Sequence, residues 1–115
     1  MRRRVFTLRF RAVNRGIFDA IKSGRKKVET RAATKRYQSI VYGDILRMVC
    51  EKSEFKKKVL AVKKFRSIRA MLNKYKPADI NPDCKTASEL EKIYYSFPGY
   101  REKTKKYGLV VLELK

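Results

Sequence analysis

The chain has 115 residues, enough for one domain with one modest core and too few for two. Hydrophobic residues make up 43%, which argues against disorder throughout, and no apolar run approaches the roughly 18 residues of a membrane span. Lysine and arginine number 31 against 11 aspartates and glutamates, a net charge of +20, so the expected partner is a polyanion, with RNA ahead of an anionic membrane.

In chain order, residues 5–11 alternate, with Phe6, Leu8 and Phe10 on one side, the pattern of a half-buried strand. The basic start, Met1 to Arg4, precedes an apolar stretch too short for a signal-peptide core, and a cytoplasmic protein is expected. Asn14 can cap a helix over 15–22 whose stripe is Ile17, Phe18 and Ile21, with Gly24 at the C-terminal glycine position. Residues 27–31 form a second strand candidate, and 32–43 read as a loop with a basic centre. A turn at Tyr42, Gly43 and Asp44 leads into a third strand, 45–50. Residues 51–58 read as a charged connection, and 59–65 as a fourth strand.

Ser67 can cap a short helix through Ile68, Met71 and Leu72. Residues 75–85 contain Pro77 and Pro82 and read as a loop. Thr86 and Glu89 have capping-box spacing, so a helix is expected from there, with Leu90, Ile93 and Tyr94 as its stripe. Phe97, Pro98 and Gly99 break it; one or two helical turns over 100–106 and a last strand over 109–114 follow. The expected fold class is α+β: a small, mostly antiparallel barrel or strongly curved sheet of about five strands with flanking helices, residues 1–115 being a single domain.

The chain has no histidine, which removes the commonest general base and excludes Ser-His and Cys-His triads. Cys50 and Cys84, without histidine, make no familiar zinc site, and a disulfide is not expected inside a cell. No cofactor is expected. The densest chemistry lies in Gly24-x-Lys26-x-x-Glu29-x-Arg31. Strand alternation puts Lys27, Glu29 and Arg31 on one face and Val28 and Thr30 on the other, with Val28 in the core. Glu29 among Lys26, Lys27 and Arg31 stays ionised by pairing, and Lys26 among cations has its proton loosened. An ordinary polar strand face is the competing reading.

This motif resembles the signature of the ASCH domain family, part of the PUA-like superfamily of small β-barrels with flanking helices. Supporting features are Phe18, Ile21, Lys22 and Ser23 before it, Tyr42-Gly43-Asp44 after it, the Phe97-Pro98-Gly99-Tyr100 segment and the Tyr107-Gly108-Leu109-Val110 ending. These look like the small single-domain prokaryotic members, and the resemblance spans nearly the whole chain. It implies a cleft beside the barrel suited to RNA or a nucleoside. One bacterial subgroup removes the acyl group from 4-acetylcytidine with a Lys, a Thr and a Glu. The Lys corresponds to Lys26; the Thr position holds Glu29, Thr30 being turned the other way by alternation; and the nearest match to the Glu is Asp83.

Three functions follow as expectations. The first is an RNA-binding protein, contacting tRNA or other structured or single-stranded RNA, or a nucleoside. Gly24, Arg25, Lys26, Glu29, Arg31, Lys35, Arg36, Tyr37 and Phe97 would form its cleft, with the N-terminal arginines on phosphates and Tyr42 as a further stacking candidate. The second is a small metal-free hydrolase, an amidohydrolase or ribonuclease, with Lys26 as base or nucleophile, Glu29 or Asp83 moving a proton, and Tyr100 or Arg101 adding to the cleft. The third is a protein-interaction domain for an acidic partner, with an apolar patch and no cleft.

Overall fold

The structure, a computed structural model, describes residues 4–115; the expected phosphate contacts Arg2 and Arg3 lie outside that range. Five strands and the helices between them follow in the order β1 (Val5–Phe10), α1 (Arg15–Ser23), β2 (Val28–Ala32), α2 (Lys35–Gln38), β3 (Ile45–Cys50), β4 (Ser53–Phe65), α3 (Ile68–Met71), α4 (Pro77–Ile80), α5 (Ala87–Ser96), α6 (Tyr100–Tyr107) and β5 (Leu109–Leu114). The strands form one mixed sheet in the order β1-β3-β4-β5-β2. Only β1 and β3 run parallel; the other three pairings are antiparallel. The α+β class and the mostly antiparallel curved sheet are as expected.

The sheet curls because β4 serves two neighbours. Its first half pairs with β3 and its second with β5, and the register shifts between Val59 and Ala61. Such a bulge bends the strand and increases its twist. The result is a half-barrel whose outer strands, β1 and β2, are not hydrogen-bonded to each other. The concave side holds Leu8, Leu46, Met48, Val59, Val110 and Leu112, closed by Phe18 of α1. Phe18 meets the rings of Phe10 and Phe55 at centroid distances of 5.8 and 4.8 Å. The other side packs Val28, Leu109 and Val111 against Ile68, Met71, Ile80 and Leu90 of the helices. Because β5 contributes to both cores, it reads as an apolar run from Leu109 to Leu112, interrupted only by Glu113 before Leu114.

Four local readings change. The 51–58 connection is a tight hairpin turn followed by the first half of β4, with Cys50 opposite Ser53; its outward lysines hide the alternation that turns Phe55 inward. The 32–43 loop contains α2, and the 75–85 loop contains α4, where Pro77 takes the first helical position and Asp79 Oδ2 accepts the Lys76 N–H at 2.9 Å. Asn14 stands at the start of α1 without a side-chain capping bond, following a 3-10 turn over Ala12–Asn14. The Ser67 and Thr86 caps are formed, their hydroxyls accepting the Ala70 and Glu89 N–H groups at 3.1 and 3.2 Å. Both cysteines are buried and free.

Candidate functional site: a cavity at the free edge of β2

Gly24 ends α1 in the left-handed region, φ 84°, where a side chain is disfavoured. Its N–H donates to the Ile21 carbonyl at 3.1 Å, and the Lys26 N–H to the Ala20 carbonyl at 2.9 Å. This turn drives the Lys26 side chain inward, leaving the residue 4% exposed. Its Nζ donates to the Ile80 carbonyl at the end of α4. Among the described residues Lys26 has no carboxylate within ion-pairing distance. Burial lowers its pKa, the nearby Glu29 opposes that shift, and Arg31 adds to it.

Past Lys26 the chain enters β2, which pairs on one side only, with β5. Its other edge faces a cavity of about 190 Å³. Side chains cover that edge. Glu29 Oε1 accepts the Thr30 N–H at 2.8 Å, and the Tyr100 hydroxyl oxygen accepts the Ala32 N–H at 3.0 Å. Glu29 Oε2 accepts from Arg31 Nη2 at 3.2 Å. Arg31 in turn lies 5.2 Å from the Phe10 ring centre and 5.8 Å from that of Tyr37. Burial works most strongly against the Arg31 charge, but Glu29, Tyr37 and Tyr100 together outweigh it and the guanidinium holds its proton more tightly than usual.

The opposite wall is aromatic and apolar. Tyr94 and Tyr100 stack at 5.8 Å with 13° between their planes, and Phe97 meets Tyr100 edge-on at 5.6 Å. Burial raises the pKa of both tyrosines, so both phenols keep their protons at neutral pH. The cavity is smaller than the ~300–1,000 Å³ of sites for drug-sized ligands. It suits one planar ring system rather than a folded oligomer.

The structure therefore brings Lys26, Glu29, Arg31 and Phe97 together in one cavity lining. Gly24 shapes the turn, and Arg25 is exposed beside it; neither lines the cavity. Tyr37 sits behind Arg31, while Lys35 and Arg36 are exposed, Arg36 donating to the Thr7 carbonyl. Asp83, expected beside Lys26, stands exposed outside the lining. Its N–H is held by Asn81 Oδ1 at 2.9 Å, and the following Cys84 takes the inward direction. Asn81 lines the cavity instead. Thr30, assigned to the opposite face, also lines the cavity. Its backbone N–H lies on the unpaired edge of β2, where Glu29 Oε1 accepts it. Of the cations beside Glu29, Lys27 is exposed, and Arg31 alone forms the pair. Arg101 covers the Tyr95 ring at 4.2 Å, and Arg4 pairs with Asp44 at 3.2 Å.

Sequence reasoning missed Phe10, Asn81 and Tyr94 as lining residues, together with Arg9 and Arg11 from the end of β1. The arginines were legible as charge, but only the gap between β1 and β2 places them there. Among the described residues no cluster of three His, Cys, Asp or Glu could hold a metal. Among them, too, no helix is long and apolar enough to cross a membrane.

Two solved structures are similar over nearly their whole length. The crystal structure of hypothetical protein PH0355 is 29% identical, with a TM-score of 0.81 over 96% of this chain and 97% of that one. The solution NMR structure of protein PF0455 from Pyrococcus furiosus is 28% identical, with a TM-score of 0.76 over 96% of each chain. No family model and no curated protein matches the chain. The shared fold is a small half-barrel compatible with the PUA-like architecture.

Proposed function

We propose that this chain is an ASCH-type, PUA-like protein of the cytoplasm that binds RNA by taking one unpaired base or nucleoside into the β2 cavity. The observation that carries this reading is the gathering of Lys26, Glu29 and Arg31 with the rings of Tyr94, Phe97 and Tyr100 around a space of single-ring-system size. An aromatic wall supplies stacking, and the charged wall supplies hydrogen-bonding groups that discriminate base edges. Arg9, Arg11 and Arg25 lie exposed at or near the cavity, where phosphates would follow the base. The protein-interaction reading expected a patch without a cleft, and the cavity speaks against it.

Titration calorimetry with nucleosides and with single-stranded RNA tests this reading at two salt concentrations. RNA affinity should fall steeply with salt. Phe97→Ala should weaken both ligands by about 1–3 kcal/mol, the range of base–aromatic stacking. Binding that ignores Phe97→Ala and Lys26→Met, or no binding of any nucleoside or RNA, overturns it.

A second reading, hydrolysis of an acylated nucleoside, is favoured by one observation. The Lys26 amine, its pKa lowered by burial, shares the cavity with Glu29 and Thr30. In its neutral form the amine can take the proton from an attacking water or hydroxyl. Incubation with 4-acetylcytidine, read by mass spectrometry, should show loss of the acyl group that vanishes in Lys26→Met. Equal turnover in that variant removes Lys26 from the chemistry.

A further inference from the structure

A second concavity, of about 490 Å³, lies where the end of β4 meets the end of α6. Its rim carries Lys64 of β4 and Arg66 just past its end, with Lys105 and Lys106 from α6. None of the four has a carboxylate partner among the ion pairs of the described residues. The negative end of the α6 dipole accounts for Lys105 and Lys106. It does not account for Lys64 and Arg66, which a different element brings to the same rim. Four unpaired like charges in one groove repel one another and oppose the compact state.

The backbone fixes this meeting. Gly108 has φ 76° and ψ −163°, and a Cβ there would stand 2.5 Å from the Phe65 carbonyl oxygen. The two chain segments approach as closely as a glycine permits, bringing the two pairs of cations to the rim of one groove. Tyr107 is 41% exposed within it, with Lys106 Nζ 5.2 Å from its ring centre. An exposed ring among cations is the combination that single-stranded nucleic acid engages.

The helix α6 joins this groove to the cavity. Tyr100 at its start lines the cavity, and Lys105 to Tyr107 at its end line the groove. Eight helical residues span about 12 Å. Between the ends, Arg101 and Lys103 are exposed alongside one carboxylate, Glu102.

We propose that the groove between β4 and α6 is a second RNA-binding surface, gripping the phosphate backbone of the strand whose unpaired base occupies the β2 cavity. The proposal rests on the RNA reading of the cavity, but the two can fail separately. The occupant is a single-stranded polyanion with stackable bases, rather than an acidic polypeptide.

The test uses the full chain, a fluorescent oligouridylate as RNA probe, free nucleosides as cavity probes and polyglutamate as competing polyanion. Lys105→Glu with Lys106→Glu is compared with Lys56→Glu with Lys92→Glu, which removes the same charge elsewhere on the surface. The groove variant should lower the slope of log affinity against log salt by about 1.4, at ~0.7 for each phosphate of a single strand that the protein no longer neutralises. The control should leave the slope nearly unchanged. Nucleoside binding should be equal in both. Lys64→Glu with Arg66→Glu, from the other wall, should repeat the result. Equal slopes in groove and control variants, with nucleosides still bound, overturn the groove and leave the cavity standing. A groove-specific loss of RNA binding with no nucleoside bound by any variant overturns the coupling to the cavity. Groove-dependent binding of polyglutamate but not of RNA overturns the RNA assignment.

Discussion

Two arginine–glutamate pairs on this molecule look alike by residue type and differ in kind. Arg47 Nε and Glu54 Oε2 are 2.7 Å apart on the outer face of the β3–β4 hairpin. Arg31 Nη2 and Glu29 Oε2 are 3.2 Å apart at the free edge of β2. Distance alone favours the hairpin pair. Surroundings reverse the order: the Glu29 side chain is 6% exposed and that of Glu54 is 50% exposed. Water screens the hairpin pair, and holding two long side chains together costs entropy. The cavity pair is better shielded, with Arg31 22% exposed over a buried Glu29, and is bound into a chain running from the β2 edge through Glu29 and Arg31 to Phe10 and Tyr37. In a chain of net charge +20, a short ion pair marks no site; a buried charge with several partners does.

Breaking the cavity pair should produce the largest effect. Arg31→Ala leaves Glu29 buried without its cation and should lower unfolding stability by about 3–5 kcal/mol in urea titration. Adding Glu29→Gln removes the stranded charge and should restore a large part of that loss. A loss equal to that of an exposed substitution would place both pairs in one class.

Tyr100→Phe removes the acceptor of the Ala32 N–H at the same edge and should cost about 1 kcal/mol, up to ~3 if the donor is left unsatisfied. Amide exchange at Ala32 should quicken with it.

The pH dependence of Lys26 sharpens the comparison further. Its folded pKa lies below the ordinary 10.5, so between those two values the unfolded chain binds more protons at this position. Stability contributed by Lys26 therefore rises with pH across that window and is lost as pH falls through the folded pKa. The stability of the wild type minus that of Lys26→Met should increase from neutral pH toward pH 10.5. A flat difference would mean that burial does not act on the Lys26 charge. At the small end, Glu54→Gln should leave the thermal midpoint within error, as its exposure requires.

The same contrast explains what was legible in the sequence. Gly24, the Ser67 and Thr86 caps and the alternation of Phe6, Leu8 and Phe10 act locally, so the elements around them are read directly from the sequence. Val28 likewise fell in the core as alternation requires. The first half of β4 was obscured because Lys56, Lys57 and Lys58 resemble a solvated linker, and only pairing with β3 turns Phe55 inward. The motif is visible at Lys26, Glu29 and Arg31, whereas the exposed position of Asp83 and the place of Thr30 in the lining are not, and for one reason. Which side of β2 remains unpaired, and which turn of the 81–84 segment faces it, are decided by tertiary packing rather than by spacing. Tyr94 and Asn81 were invisible as site residues for the same reason.

Backbone NMR of the ¹⁵N-labelled chain, titrated with nucleosides and a short unpaired RNA, tests the cavity assignment most directly. The largest shifts should fall on Glu29, Thr30, Arg31 and Ala32 of β2 and on Tyr94, Phe97 and Tyr100 across the cavity, with nucleoside alone moving that set. Shifts spread over exposed lysines while the β2 edge stays still would contradict it and reduce the motif to a structural ion pair.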